Sequence, residues 1–217
     1  MRRTLAILCL VSTAAAADPM ATRIGNTTLV IEPNGTVVHM LYRADHSFLA
    51  KSARGQISGQ WALDGGRLCL AFATPVTGIG DKECGPADEH AVGDVWLLGG
   101  RHLALIEGEV LDDTPATQAA LAAASRVGNT VVATDPDGTV TRLFWRPDHS
   151  FAATRPGWKT EGTWRYQGSS LFLHYAVPRP GMGSDEEMKD ATPRRVGETW
   201  GMADRQVTLV AGEQLAN

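Results

Sequence analysis

The sequence predicts an all-β, mainly antiparallel protein. It should form two tandem homologous small β-barrel or meander domains joined by a short α-helix. Three observations predict this. The chain repeats itself at one offset, short β-prone stretches alternate with turn signals inside each repeat, and an Ala-rich stretch between the repeats carries helix-capping residues.

The repeat comes first, because internal periodicity decides the architecture. Arg23-Ile-Gly-Asn-Thr27 returns as Arg126-Val-Gly-Asn-Thr130, and Pro33-Asn-Gly-Thr-Val37 as Pro136-Asp-Gly-Thr-Val140. Arg43-Ala-Asp-His-Ser-Phe48 returns as Arg146-Pro-Asp-His-Ser-Phe151, and Gly59-Gln-Trp61 as Gly162-Thr-Trp164. At offset 103, 24 of the 61 positions from Arg23 to Glu83 are identical. One inserted residue then gives offset 104, which matches Trp96 to Trp200. This alignment places Phe172 opposite Cys69 and Glu187 opposite Cys84. A period this long is a small domain rather than a solenoid repeat.

The chain opens with Met1-Arg2-Arg3, an apolar run from Leu5 to Val11 and small residues up to Ala17. That is the three-part pattern of a secretory signal peptide, with Ala15 and Ala17 at the cleavage site. The run is shorter than the ~20 residues that span a bilayer. The predicted organisation is 1–17 signal peptide, 18–110 first β repeat, 111–127 helical linker and 128–217 second β repeat. The location implied is periplasmic or secreted, with no membrane insertion.

Within the first repeat, Thr27–Ile31 and Thr36–Tyr42 flank the Pro-Asn-Gly turn. Ser47–Lys51 follows the Asp-His-Ser turn, and Gln60–Asp64 and Arg67–Phe72 flank Gly65-Gly66. Val92–Leu98 and Arg101–Ile106 flank Gly99-Gly100. Regularly spaced strands with hairpin signals indicate an antiparallel meander rolled into a sandwich or small barrel. Period-2 comparison of the copies points Trp61, Leu63, Leu68, Leu70 and Phe72 inward and Cys69 outward. Phe172 and His174 then share an outer face, which predicts that this face is covered. Ala73–Ala91 and Val177–Arg195 read as long loops, and the acidic run Asp185–Asp190 as solvated. Between the repeats, Thr114 is an N-cap, Pro115 the first helical residue, Ala116–Arg126 the helix and Gly128 its C-terminal cap.

Loss of the signal removes two of the 20 basic residues and leaves 18 against 24 acidic, a net charge of −6. That balance argues against nucleic-acid binding, which needs a basic footprint. It also leaves two of the three cysteines, Cys69 and Cys84. Two cysteines in an exported chain predict one disulfide, with free thiols or a metal pair as the alternatives.

The series Gly-Asn-Thr, Pro-x-Gly-Thr, Gly-x-Trp, Asp64-Gly-Gly-Arg-Leu-Cys69 and Cys84 resembles a group of small exported proteobacterial domains of unknown function. These carry a GNT…G…GxW…DGxLC…C pattern, usually after a short helix. The resemblance covers each repeat, the first more closely, and implies a small β-rich periplasmic fold. The Gly-x-Trp is also similar to the lipocalin strand signature and to exported barrel-type protease inhibitors, although it falls mid-repeat here. A lipocalin-like barrel is the corresponding fold expectation.

Candidate chemistry is sparse. Asp45-His46-Ser47 and Asp148-His149-Ser150 hold the residue types of a hydrolase triad, but neighbours in a strand face opposite ways, so a turn is the expected role. No histidine spacing indicates a metal site, and no phosphate loop, nucleophile elbow or dinucleotide fingerprint occurs. Trp61, Trp96, Trp164 and Trp200 are paired across the copies and read as core. Trp145 and Trp158 have no Trp counterpart and read as interface candidates. The expected function is an exported binding or envelope-interaction protein, non-catalytic, without cofactor or metal. Its ligand is an unknown protein or small molecule, and His46, His149, Trp145 and Trp158 are the candidate binding residues. The alternative is a secreted inhibitor of a hydrolase, of the protease- or lysozyme-inhibitor kind.

Overall fold

The computed structural model describes residues 18–189 and 191–216. The expected signal peptide, 1–17, lies outside them. The first sheet has eight strands: β1 (Thr27–Ile31), β2 (Val37–Tyr42), β3 (Ser47–Ser52), β4 (Gly55–Asp64), β5 (Arg67–Val76), β6 (Gly80–Pro86), β7 (Val95–Leu98) and β8 (Arg101–Ile106). Helix α1 (Pro115–Arg126) follows. The second sheet comprises β9 (Asn129–Thr134), β10 (Val140–Trp145), β11 (Ser150–Arg155), β12 (Trp158–Gln167), β13 (Ser170–Tyr175), β14 (Glu186–Lys189), β15 (Thr199–Met202) and β16 (Arg205–Ala211).

Both sheets are antiparallel and have the same order, β6-β5-β4-β3-β2-β1-β8-β7 and β14-β13-β12-β11-β10-β9-β16-β15. Each curls into an open barrel whose edges are β6 and β7, or β14 and β15. The first pair of edges approaches through side chains: a Cβ on Gly85 of β6 would lie 3.9 Å from the Leu98 side chain of β7.

The repeated motifs are the joints of this barrel. Asn26 and Thr27 stitch the start of β1 to the chain leaving β8, where the Asn26 side chain accepts from the Gly108 N–H and the Thr27 hydroxyl donates to the Gly108 carbonyl. Asn129, Thr130 and Gly212 repeat these bonds. In the Pro-x-Gly-Thr turns, Asn34 or Asp137 accepts from the backbone two residues on, and Gly35 or Gly138 sits at φ 82°. In the Gly-x-Trp motif the glycine answers to space. A Cβ on Gly59 would lie 2.0 Å from the Ala71 carbonyl oxygen and 2.6 Å from the Phe48 ring, and Gly162 faces the His174 carbonyl and Phe151 in the same way.

Helix α1 begins as the sequence indicates, with a Thr114 N-cap, Pro in the first turn and a reciprocal bond pair between Thr114 and Thr117. It is more than a linker. Its alanines pack in one cluster with Leu29, Ala104 and Ile106 on the outside of the first barrel and with Trp164, Leu171 and Leu173 inside the second. The first barrel has a shorter counterpart. Residues 18–24 make a helical turn opened by Asp18, whose side chain accepts from the Met20 N–H. Met20 is fully buried there against Tyr42, Phe48 and Trp61. Each repeat therefore closes one end of its own barrel with the segment that precedes it.

Several expectations need correction. The supposed long loops contain β-structure: β5 runs on to Val76, β6 follows, and the acidic run Asp185–Asp190 includes the edge strand β14. Ladder pairing puts Cys69 opposite Cys84 and Phe172 opposite Met188, so Met188, not Glu187, replaces Cys84. The inserted residue thus precedes β14. Cys69 and Cys84 form the expected disulfide, which ties edge strand β6 to β5. The outer face of β13 is only partly covered: Phe172 lies under the Arg165 guanidinium, 4.2 Å from the ring centre, and His174 is exposed. Leu63 shares the inward side of β4 but is 42% exposed near the barrel end. Trp61 and Trp164 are core, whereas Trp96 and Trp200 are half-buried.

Candidate functional site

The inward faces of the first sheet enclose a cavity of ≈ 170 Å³. Val38, Met40, Leu70, Phe72 and Leu103 supply apolar wall, and Arg23 with Tyr42 lies toward the end closed by residues 18–24. Ile57 and Ile79, 39% and 41% exposed, belong to the opposite end, where the β3–β4 and β5–β6 connections lie. Burial pushes the Tyr42 hydroxyl up to about 12, so it stays a neutral donor. The Arg23 Nε and Thr28 hydroxyl are buried without a hydrogen-bond partner among the described residues.

The second sheet encloses a cavity at equivalent positions, but of ≈ 80 Å³. The difference follows from side-chain size. Trp145 stands where the first repeat has Tyr42, Trp158 where it has Gly55 and Lys189 where it has Gly85. The predicted candidates Trp145 and Trp158 thus meet in one cavity, together with Trp200. All three indole Nε1 atoms are buried and lack a hydrogen-bond partner among the described residues. A buried donor left unpaired costs about 1–3 kcal/mol, so three at one place is an unusual concentration.

The charged groups near the two cavities are arranged differently. In the first barrel Arg101 is shared by two carboxylates, Glu32 and Glu83, each at 3.0 Å. In the second, Asp135 is shared by two guanidiniums, Arg155 and Arg205. Glu187 bonds the Lys189 ammonium at 2.7 Å and accepts from the Tyr175 hydroxyl at 2.8 Å. Burial alone would raise the Glu187 carboxyl, but these two partners more than offset it and hold it below its usual range. Burial also drives the Tyr175 hydroxyl upward, with Glu187 adding to the shift.

His46 and His149 lie outside both cavities. Each occupies a left-handed turn position, φ 65° and 63°, unusual for a side-chain-bearing residue. Each ring stacks on the Gly-x-Trp indole at 4.4 Å. Asp45 and Asp148 accept from the N–H and hydroxyl of Ser47 and Ser150, and the indole N–H groups of Trp61 and Trp164 donate to the Arg43 and Arg146 carbonyls. The triad-like run is thus a turn locked onto a tryptophan. The two histidines do not converge. His149 reaches instead across the junction to Asp94 of the first repeat, at 3.2 Å, and Asp94 also faces His90. A second bond across the junction runs from the Tyr166 hydroxyl to the Leu105 carbonyl, 2.7 Å.

Sequence comparison missed Lys189, Arg205 and Trp200 as lining residues. The available signal was the exchange of small for large residues, Gly55 for Trp158 and Gly85 for Lys189, at inward positions. Among the described residues no group of three His, Cys, Asp or Glu side chains is placed to hold a metal, and no helix is long and apolar enough to cross a membrane. No family model, curated protein or solved structure matches the chain.

Proposed function

We propose that the protein is an exported, periplasmic, non-catalytic binding protein, and that the barrel interiors hold small ligands. The observation that carries this reading is the cavity present at equivalent positions in both repeats. Chains that merely fill a barrel close it with side chains, whereas here the first interior stays open after duplication and divergence. Its size is near that of engineered apolar cavities of about 150 Å³ that take up benzene. The pattern at residues 1–17 supports export. The inhibitor alternative draws no support from residues 18–24, since Met20 and Arg23 are packed into the barrel end rather than free to enter an active site.

The test is calorimetric titration of the mature chain with benzene, toluene and indole, alongside a Val30→Phe variant. Val30 lines the first cavity, so a larger side chain there should abolish binding while circular dichroism stays unchanged. Failure of all three probes to bind the unaltered protein would overturn this reading for the first barrel.

A further inference from the structure

The polar groups of the two interiors differ. Tryptophan's indole N–H donates and cannot accept, so a ligand that satisfies several must present acceptors. Trp145, Trp158 and Trp200 line the second cavity, and their buried indole N–H groups have no hydrogen-bond partner among the described residues. Lys189 and Arg205 line the same space. The adjoining Arg155–Asp135–Arg205 group carries one more positive than negative charge. Its counterpart around Arg101 has the opposite balance, one guanidinium between two carboxylates. Leu143, Ala153 and Val207 give the cavity an apolar wall.

We propose that the second cavity is a binding site for a small monocarboxylate, its oxygens accepting from Trp145, Trp158 and Trp200 beside Lys189 and Arg205. The short alkyl end lies against Leu143, Ala153 and Val207. A space of ≈ 80 Å³ suits a ligand of only a few heavy atoms. This inference rests on the reading of the barrels as binding sites and adds a ligand class for one of them. The first barrel lacks two of these three indoles: Tyr42 and Gly55 stand in place of Trp145 and Trp158, while Trp96 corresponds to Trp200.

The experiment is ¹H–¹⁵N spectroscopy of the whole mature chain, in which the six tryptophans give indole N–H signals assigned by single Trp→Phe variants. Acetate is titrated against its neutral isostere acetamide, with chloride as the ionic-strength control. Acetate should shift the signals of Trp145, Trp158 and Trp200. Trp61 and Trp164, whose indoles already donate to backbone carbonyls, should stay in place. Trp158→Phe keeps an aromatic, though smaller, ring and removes the donor, and should weaken acetate binding about tenfold. Trp200→Phe is the second variant should the first fail to fold. Acetamide should bind at least about tenfold more weakly than acetate, because it brings no charge. The proposal is overturned if acetate leaves the three signals unmoved, as in a cavity that holds only water, or if acetamide or chloride moves them equally. If benzene or its analogues bind while acetate does not, this inference alone falls; if neither binds, the binding reading falls with it.

Discussion

Replacing Gly162 with Ala should destabilise the second barrel by about 3 kcal/mol, although one methyl group is all that is added. The new Cβ would lie 2.1 Å from the His174 carbonyl oxygen and 2.6 Å from the Phe151 ring. Favourable heavy-atom contacts lie near 3.5–4.0 Å, so something must move by about 1 Å. Neither neighbour is free to do so. His174 is held in the β12–β13 ladder opposite Thr163, and Phe151 is fully buried with its ring edge against Tyr175. Overpacking of this kind costs roughly 1–3 kcal/mol, and each ladder hydrogen bond lost adds about 1 kcal/mol. The gain from removing glycine's backbone freedom, about 0.5–1 kcal/mol, offsets only part of this. The assay is urea unfolding followed by tryptophan fluorescence and circular dichroism, with Gly59→Ala as the matched change in the first barrel. A loss below about 1 kcal/mol in both variants would refute the close-packing account of the Gly-x-Trp motif.

Three further outcomes are expected. Removing the disulfide by Cys69→Ala with Cys84→Ala frees a loop of 15 residues and should cost about 3 kcal/mol in the chain-entropy account, with faster amide exchange in β6; unchanged exchange there would count against its role as an edge clamp. His90 is held below its usual pKa by burial and by nearby Arg23, so its contribution is complete above about pH 6.5 and is lost as the pH falls through its lowered value. Urea midpoints measured from neutral to mildly acidic pH should decline, and His90→Gln should flatten that decline; an equal slope in the variant would contradict the assignment. Tyr166→Phe removes one of two donors to the Leu105 carbonyl, which keeps the Gly93 N–H, and should cost about 1 kcal/mol; a variant as stable as the parent would show that this junction bond contributes nothing.

Much of this architecture was legible because duplication supplied an internal control. Two copies of Gly-Asn-Thr, Pro-x-Gly-Thr and Gly-x-Trp mark the same joints twice, and the turns and central strands follow from them. The edge strands were not legible. Gly80–Pro86 and Glu186–Lys189 are charged or rich in turn formers, the composition that keeps a sheet edge from pairing with other chains, and it reads as loop. The misplaced insertion had a simple cause. Glu83 and Glu186 are identical at offset 103, so the alignment ran at least three residues too far, while the ladder pairs Ala71 with Lys82 and Leu70 with Glu83, and His174 with Glu186 and Leu173 with Glu187. Trp145 and Trp158 stood out as unmatched aromatics, but their meeting with Trp200 depends on barrel closure, which no local pattern encodes.

The double packing of helix α1 also bears on what happens while the chain is being made. The first barrel has all its strands once Ile106 has been synthesised, yet Leu29, Ala104 and Ile106 gain their cover only when residues 115–126 arrive. Until then the nascent first half presents an apolar strip, and a fragment ending before the helix would keep that strip for good. The second half carries its own plug, so it is the more self-sufficient piece inside, but its helix would then show the bare alanine side that now rests on β8. The two copies share one wall, and a gene encoding either one alone would have to find another surface to put there.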